Sequence, residues 1–296
     1  MPEIGLKVDI DTYRGMKEGL PRLLALFKRE GVRASVFVSY GPDQSGRAVK
    51  RIFTKKGFLK KMLRTNAAKL YGFKTMLYGT LLPAPQIGTA FPDLVKQTRA
   101  EGHDVGVHAW SHVLWQDDLD SLSAERIRAE LSNAWEAHRK ILGENPSAFA
   151  APAWKINETA LAELARFQWK YLSIGRGPAP IMPRIGDVAP NCPELPSSLP
   201  TLDEILAWDG MTQEGALAWM LREAQKQDYC VYTLHTEAEG LACYDFFEKF
   251  LCGLKERGFT FKTLLEKAGA MKANPPQLKE IKQGELPGRA GLVAVV

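Results

Sequence analysis

Histidine and cysteine are scarce in this chain, at five and four of 296 residues. The cysteines (Cys192, Cys230, Cys243 and Cys252) form no C-x-x-C pair. That spacing excludes a thiolate metal site and a disulfide framework, and leaves reduced, partly buried thiols. No apolar run reaches the roughly 18 residues that a membrane-spanning helix needs. The chain enters a strand pattern by Ile4, so no signal peptide is expected and a cytoplasmic residence is. Acidic residues are absent over one long stretch. Positions 44–92 hold none, against ten basic ones: Arg47, Lys50, Arg51, Lys55, Lys56, Lys60, Lys61, Arg64, Lys69 and Lys74. Without these ten, 29 basic residues face 34 acidic ones, so the rest of the chain carries about −5 while the whole carries +5. Apolar residues such as Ile52, Phe53, Phe58, Leu59, Met62, Leu63, Tyr71 and Phe73 are interleaved with the cations. The mixture suits an anionic membrane surface or a phosphorylated lipid. A solvated helical hairpin packed by its apolar face accounts for it equally. No nucleic-acid-binding motif accompanies the patch, so nucleic acid is not an expected partner.

What is present is an alternation of strand and helix patterns. Strand-like runs fall at Ile4–Asp11, Ala34–Tyr40, Asp104–Ala109, Ser147–Ala151, Tyr171–Ile174 and Tyr229–Leu234. Helical patterns lie between and after them, near Gly19–Glu30, Phe91–Glu101, Ser123–Leu142, Glu158–Phe167, Gln213–Gln227 and Tyr244–Gly258. This order predicts an α/β fold with a parallel sheet, as a barrel in preference to an open six-stranded sheet. Gly31 and Gly102 stand where helices should stop. The proline-rich stretch 178–200 is expected to be an irregular loop over one face. The last residues, Gly291–Val296, read as a short edge strand or as a second lipid contact. The expected organisation is one domain over 1–270, with an insertion at 41–92 and a tail at 271–296.

Three strand ends carry chemistry. Val8-Asp9-Ile10-Asp11 ends the first, His108-Ala-Trp-Ser-His112 the third, and Leu234-His235 the last. In parallel α/β folds, functional side chains collect at the carboxyl ends of strands. Two imidazoles with one carboxylate bind a divalent ion and leave a position open for water. Zinc, manganese, cobalt and nickel all suit such a set. Each part has a plainer account. H-x-x-x-H is also the spacing of a helix face, Asp-x-Asp a strand end with a capping carboxylate, and a single histidine an ordinary core residue. His103 reads as a helix stop and His138 as a helix surface. Glu237 and Glu239 could orient His235, bind substrate hydroxyls, or sit solvated in a loop.

The stretch Glu101–His112 resembles the second motif of the polysaccharide deacetylase family, carbohydrate esterase family 4, whose unit is the NodB homology domain. Val8–Asp11 resembles its first motif and Leu234-His235 its last. The resemblance implies a distorted (β/α) barrel and a mononuclear metal centre. It implies Asp11, His108 and His112 as ligands, Asp9 as general base and His235 as general acid. One departure stands out. Where the family's third motif supplies an arginine as partner of the base, Ala150-Ala-Pro152-Ala-Trp154 has Ala150. Arg14 or Arg176 is the expected substitute from another loop. A backbone N–H near Trp154 is expected to face the oxyanion, with Trp154 or Trp110 walling a small acyl pocket.

A subgroup resembles nearly the whole chain: the 4-deoxy-4-formamido-L-arabinose-phosphoundecaprenol deformylases. The match runs through Asp9–Gly15, Gly19–Leu24, Gly41–Asp43, Lys61–Ala68, Thr233–Gly240 and Pro287–Gly291. It implies a basic amphipathic insertion after the second strand. It also implies removal of formate from a polyprenyl-phosphate-linked amino sugar in lipid A modification and polymyxin resistance. The implied location is peripheral, on the inner face of the inner membrane, with Arg14 near the lipid phosphate. The rival enzyme is another deacetylase of N-acylated sugars, with a ring-opening amidohydrolase of a small cytosolic substrate behind it. The rival of another class is a non-catalytic lipid- or glycan-binding module.

Overall fold

The computed structural model describes residues 1–49 and 74–296. The part of the expected amphipathic insertion at 50–73 therefore lies outside the described residues.

Strand β1 (Glu3–Ile10) shows how the sheet divides the molecule. Successive side chains of a strand point to opposite faces. Ile4, Leu6, Val8 and Ile10 are buried in the large outer core, against helices such as α1 (Leu20–Glu30). Gly5, Lys7 and Asp9 take the opposite face. The same parity recurs along the sheet. In β2 (Ser35–Ser39), Val36 and Val38 join the outer core while Phe37 joins an inner one. In β4 (Ala148–Ala150), Phe149 points out, and Ala148 and Ala150 point in. In β7 (Tyr229–His235), Val231 is the inward residue between Cys230 and Tyr232. The inner core of Phe37, Ala148, Ala150, Tyr171, Leu195, Val231, Leu264 and Ala268 is the lumen of a distorted (β/α) barrel.

With β3 (Asp104–Ala109), β5 (Tyr171–Ser173) and β8 (Thr260–Lys262), the strands form one parallel sheet. Its order is β5-β4-β3-β2-β1-β7, with β8 pairing the first residues of β1. β5 and β7 do not pair. The proline-rich stretch fills the seam between them, which corrects the expectation of a loop lying over one face. The Leu172 N–H donates to Pro193 O and the Leu195 N–H to Leu172 O, both at 2.8 Å. On the other side, the Ser198 and Leu199 N–H groups donate to Val231 O at 3.1 Å. Pro193, Pro196 and Pro200 have no N–H to give, so the segment bridges two strands without forming a regular ladder.

Glu194 lies in this seam with no exposed surface. Its carboxylate accepts from the N–H groups of Ile174 and Gly175 at 2.8–2.9 Å. Burial raises its pKa to about 7. Between about 4.5 and 7 the folded state thus holds a proton that the unfolded chain has lost, and stability falls as pH rises through that window. Glu194→Gln should match the native chain below pH 4.5 and exceed it at pH 8, by up to about 3 kcal/mol. Denaturant unfolding at the two pH values checks this. Equal stability of the two proteins at pH 8 would contradict it.

After β3 come α2 (His112–Asp118), α3 (Ala124–Leu142) and α4 (Glu158–Leu164). Ser123 caps α3 by accepting from the Arg126 N–H, and Gly143 ends it at φ 73°, where a residue with a Cβ is strained. His138 on α3 is buried, with Nδ1 2.9 Å from the Tyr40 hydroxyl, which corrects the expectation of a surface histidine. His103 is buried too, and accepts from the Ala34 N–H.

The chain end runs back over the barrel. β6 (Met182–Arg184) pairs in parallel with β9 (Leu278–Glu280), and β10 (Lys282–Gly284) pairs antiparallel with β11 (Val293–Val295). Val293 and Ala294 are buried, and the Arg176 N–H donates to Ala294 O at 2.9 Å. Of the two expectations for the last residues, the structure has the edge strand. Among the described residues no helix is long and apolar enough to cross a membrane.

Candidate active site

The carboxyl ends of β1, β3 and β7 meet at one mouth of the barrel. Asp9 lies beside His235 in the β1–β7 register, and the Thr236 N–H donates to Asp9 O at 3.1 Å. From β3, His108 Nε2 comes within 3.3 Å of Asp11 Oδ1 and 4.0 Å of Asp9 Oδ2. His112 opens α2, and its Nε2 lies 3.4 Å from the same Asp11 oxygen. The expected ligand and catalytic residues are thus brought to one place.

Asp11, His108 and His112 offer ligand atoms that all lie within 4.8 Å of one another, and they form the one such cluster found among the described residues. Two further observations fit a cation there. Asp11 Oδ1 and Asp9 Oδ1 are buried and have no hydrogen-bond partner among the described residues. His108 Nδ1 lies 2.9 Å from Ala150 O and donates to it, which fixes the ring with Nε2 turned to Asp11. Burial pushes the Asp11 carboxyl up, but His112, His108 and His235 around it win and hold it far below the usual carboxylate range. Burial pushes His235 down, but Asp11, Asp9 and Glu239 raise its pKa above the ordinary histidine value.

Glu237 and Glu239 are both buried, so neither is a solvated loop carboxylate. Glu237 Oε1 accepts from the Thr12 N–H at 2.8 Å, the Thr12 hydroxyl at 2.6 Å and the Asp11 N–H at 3.2 Å. It pins the loop that presents Asp11. Burial, with Asp11 nearby, lifts its pKa to about 7. Glu239 accepts from the His235 N–H at 2.9 Å and the Tyr232 hydroxyl at 2.6 Å, and so holds the end of β7.

The helical turn Gly15–Gly19, which follows the Asp11 loop, touches the backbone just after His235. A Cβ on Gly19 would stand 2.1 Å from Thr236 O, next to His235. Gly19→Ala must push the two segments apart, at about 1–3 kcal/mol. Thermal unfolding should show a melting point lower by several degrees, and an unchanged one would refute the contact.

Arg176 and Trp154 belong to the framework beneath the mouth. Arg176 is buried; its Nη1 donates to both oxygens of Glu204 at 2.9 Å, and Nε and Nη2 donate to Ser197 O and Leu199 O. With these partners it does not serve Asp9, which corrects its expected role. Arg14, the other expected substitute, pairs with Glu18 at 3.0 Å. Trp154 is buried at φ 52°, after Ala153 at φ 54°. Its indole N–H donates to Ser197 Oγ, and its backbone N–H to Ala151 O. Arg289 from the chain end caps this left-handed turn by donating to Ala153 O at 3.1 Å, with its guanidinium 4.6 Å from the Trp154 ring centroid. Trp110 is half-buried, and its ring backs Gly41.

The partner of Asp9 is Lys7. Its Nζ lies 2.7 Å from Asp9 Oδ2, and the side chain has no exposed surface. The sequence-based expectations passed over it, although strand parity already put residues 7, 9 and 11 on one face.

Beside the mouth, the described segments on either side of residues 50–73 meet. The Asp43 N–H donates to Pro85 O at 2.8 Å, and the Gly46 N–H to Tyr78 O at 2.9 Å. Asp43 Oδ2 accepts from the Tyr13 N–H, and Tyr13 packs against Tyr78 and Phe91.

Residues 3–172 match the model of the polysaccharide deacetylase family. A probable 4-deoxy-4-formamido-L-arabinose-phosphoundecaprenol deformylase of Shewanella sediminis is 34% identical over 289 residues, covering 98% of this chain and 93% of the relative. One from Wigglesworthia glossinidia brevipalpis is 30% identical over 282 residues, at 95% and 97% coverage. Among solved structures, a candidate polysaccharide deacetylase from Mycobacterium smegmatis superposes with a TM-score of 0.64 at 16% identity, covering 96% of this chain and 94% of that one. A family 4 acetyl xylan esterase from Clostridium thermocellum, crystallised with a cobalt ion, gives 0.54 at 15% identity and 92% of each chain.

Proposed function

The chain belongs to the polysaccharide deacetylase family, and from that premise we propose that it hydrolyses the formamide of a 4-deoxy-4-formamido-L-arabinose carried on undecaprenyl phosphate. The observation that carries the hydrolase chemistry is the convergence of Asp9, Asp11, His108, His112 and His235, with two buried carboxylate oxygens left unpartnered. The near full-length relatives named as deformylases support the substrate.

Asp11, His108 and His112 would hold the divalent ion. Zinc, manganese, cobalt and nickel all suit two imidazoles and a carboxylate. When bound, the ion supplies Lewis acidity toward the formyl oxygen and eases deprotonation of a water. Asp9, through Oδ1, takes the proton from the attacking water. His235, whose pKa the carboxylates around it raise, gives a proton to the departing nitrogen, which is otherwise a poor leaving group. Formate and a free amine result. The amine then takes up a proton, so an uncharged amide becomes a cation. Glu237 and Glu239 act at one remove, by fixing the loops that carry Asp11 and His235.

The basic stretch at 44–92 would meet an anionic inner-membrane surface from the cytoplasmic side, placing the sugar of a lipid-borne substrate at the mouth. Arg14, beside that mouth, would face the lipid phosphate. Incubation of the metal-loaded protein with the formylated lipid-linked sugar tests the proposal, with free formate as the readout. Release of acetate from an N-acetyl sugar in its place, with no formate from the lipid-linked one, would move the assignment to another deacetylase.

A further inference from the structure

Lys7 is a full-length cation sealed inside the barrel. A buried ammonium is costly unless a good acceptor meets it. Its position follows from strand geometry. Residues two apart on one face are separated by about 6.6 Å, which an extended lysine stem spans. Lys7 therefore starts one layer below Asp9 and reaches up the lumen to it. The stem passes two rings, with Nζ 5.7 Å from the Phe37 centroid and 5.1 Å from that of Trp154. The inward residues of β4, Ala148 and Ala150, are small and leave room in the lumen. Among the described residues, Asp9 is the one carboxylate within ion-pair distance of Nζ.

The contact divides the two oxygens of Asp9. Oδ2 receives the ammonium at 2.7 Å, while Oδ1 is buried without a partner among the described residues. A carboxylate free to turn about its last torsion presents either oxygen. One fixed by a strong bond at Oδ2 presents Oδ1 alone. We propose that Lys7 is the positioning residue of this site, holding Asp9 by Oδ2 so that Oδ1 stays turned to the reacting water. The proposal rests on the hydrolase reading above, with Asp9 as proton acceptor. Lys7 thus supplies from within β1 the cation that Ala150 does not supply from β4.

The test compares Lys7→Met, which keeps the stem and loses the charge, with Lys7→Arg, which keeps the charge, and Lys7→Gln, which keeps a neutral donor. Each is loaded with metal and assayed on the formylated lipid-linked sugar and, separately, on 4-nitrophenyl acetate. Lys7→Met should lose about 100-fold in kcat with KM within about twofold and metal stoichiometry unchanged. Lys7→Arg should recover to within about tenfold of the native rate, and Lys7→Gln should fall between the two. Crystal structures should show the Asp9 carboxylate rotated in Lys7→Met and restored in Lys7→Arg. Lys7→Met with native turnover and an unmoved Asp9 would overturn the proposal, as would Lys7→Arg no better than Lys7→Met. If Lys7→Met does not fold, the Lys7→Arg and Lys7→Gln pair decides by the same criteria. A native protein silent on the lipid-linked formamide but active on the ester overturns the deformylase assignment alone and leaves the Lys7 comparison to be read on the ester. Silence on both substrates overturns both.

Discussion

Asp11→Ala and His108→Ala should each release the bound metal and abolish turnover together. Both residues offer an atom to the same small volume, and neither has a neighbour that can replace it. Asp9 stands near the cluster, 4.0 Å from His108 Nε2, but its Oδ2 is taken by Lys7 and its Oδ1 is the proton acceptor of the proposed reaction. The second nitrogen of His108 is tied to the framework, through Ala150 O. A site cut from three protein ligands to two loses most of its affinity, because chelation by a preset cluster provides it. The expected fall in kcat/KM is at least about 1,000-fold, or about 4 kcal/mol of transition-state stabilisation. Metal content of the purified variants and their formate release check the two halves separately. Native metal stoichiometry in Asp11→Ala would show that the ligand set is wrong. Lost metal with retained turnover would show that the reaction does not need the ion.

His235→Ala should part those two properties. His235 stands outside the ligand cluster, so metal content should stay native. Its main-chain bonds survive truncation, since the His235 N–H to Glu239 contact and the Thr236 N–H to Asp9 O contact involve no imidazole atom. The fold should therefore hold, and circular dichroism and the melting point should change little. What is lost is the proton donor to the leaving amine. General acid catalysis contributes about 100- to 10,000-fold, and an amine departing from carbon lies toward the upper end, because it cannot leave as an anion. An activated ester with a good leaving group should suffer much less from the same substitution. Equal losses on amide and ester would argue that His235 acts on the attacking water or on binding.

Lys7 is the instructive omission. The alternation Ile4-Gly-Leu-Lys-Val-Asp-Ile-Asp11 states that residues 5, 7, 9 and 11 share a face. An expectation that a charged residue within a strand faces solvent hides it. Here the inner face is a lumen, so the lysine is buried and must find its counter-ion on the same strand. Arg176 was legible as a cation but not as a committed one, because Glu204, its partner, lies on a separate short helix (Leu202–Ile205) and no spacing links the two. The burial of His138 was equally hidden, since its partner Tyr40 lies just after β2, far away in the chain. The proline-rich seam was legible as irregular. Its place between β5 and β7 follows from a gap in the sheet that the local sequence does not reveal.

Local chemistry by itself determined the alternation of strands and helices, the parity that sorts apolar from polar side chains, and the residue types able to hold a metal and move protons. Those are short-range properties of steric preference and functional groups, and each segment carries its own. Only the tertiary structure decided which groups meet, which are already paired, and which oxygens are left without a partner. Those outcomes depend on distances between segments as far apart as Asp11 and Glu237, and such distances exist only once the barrel has curled.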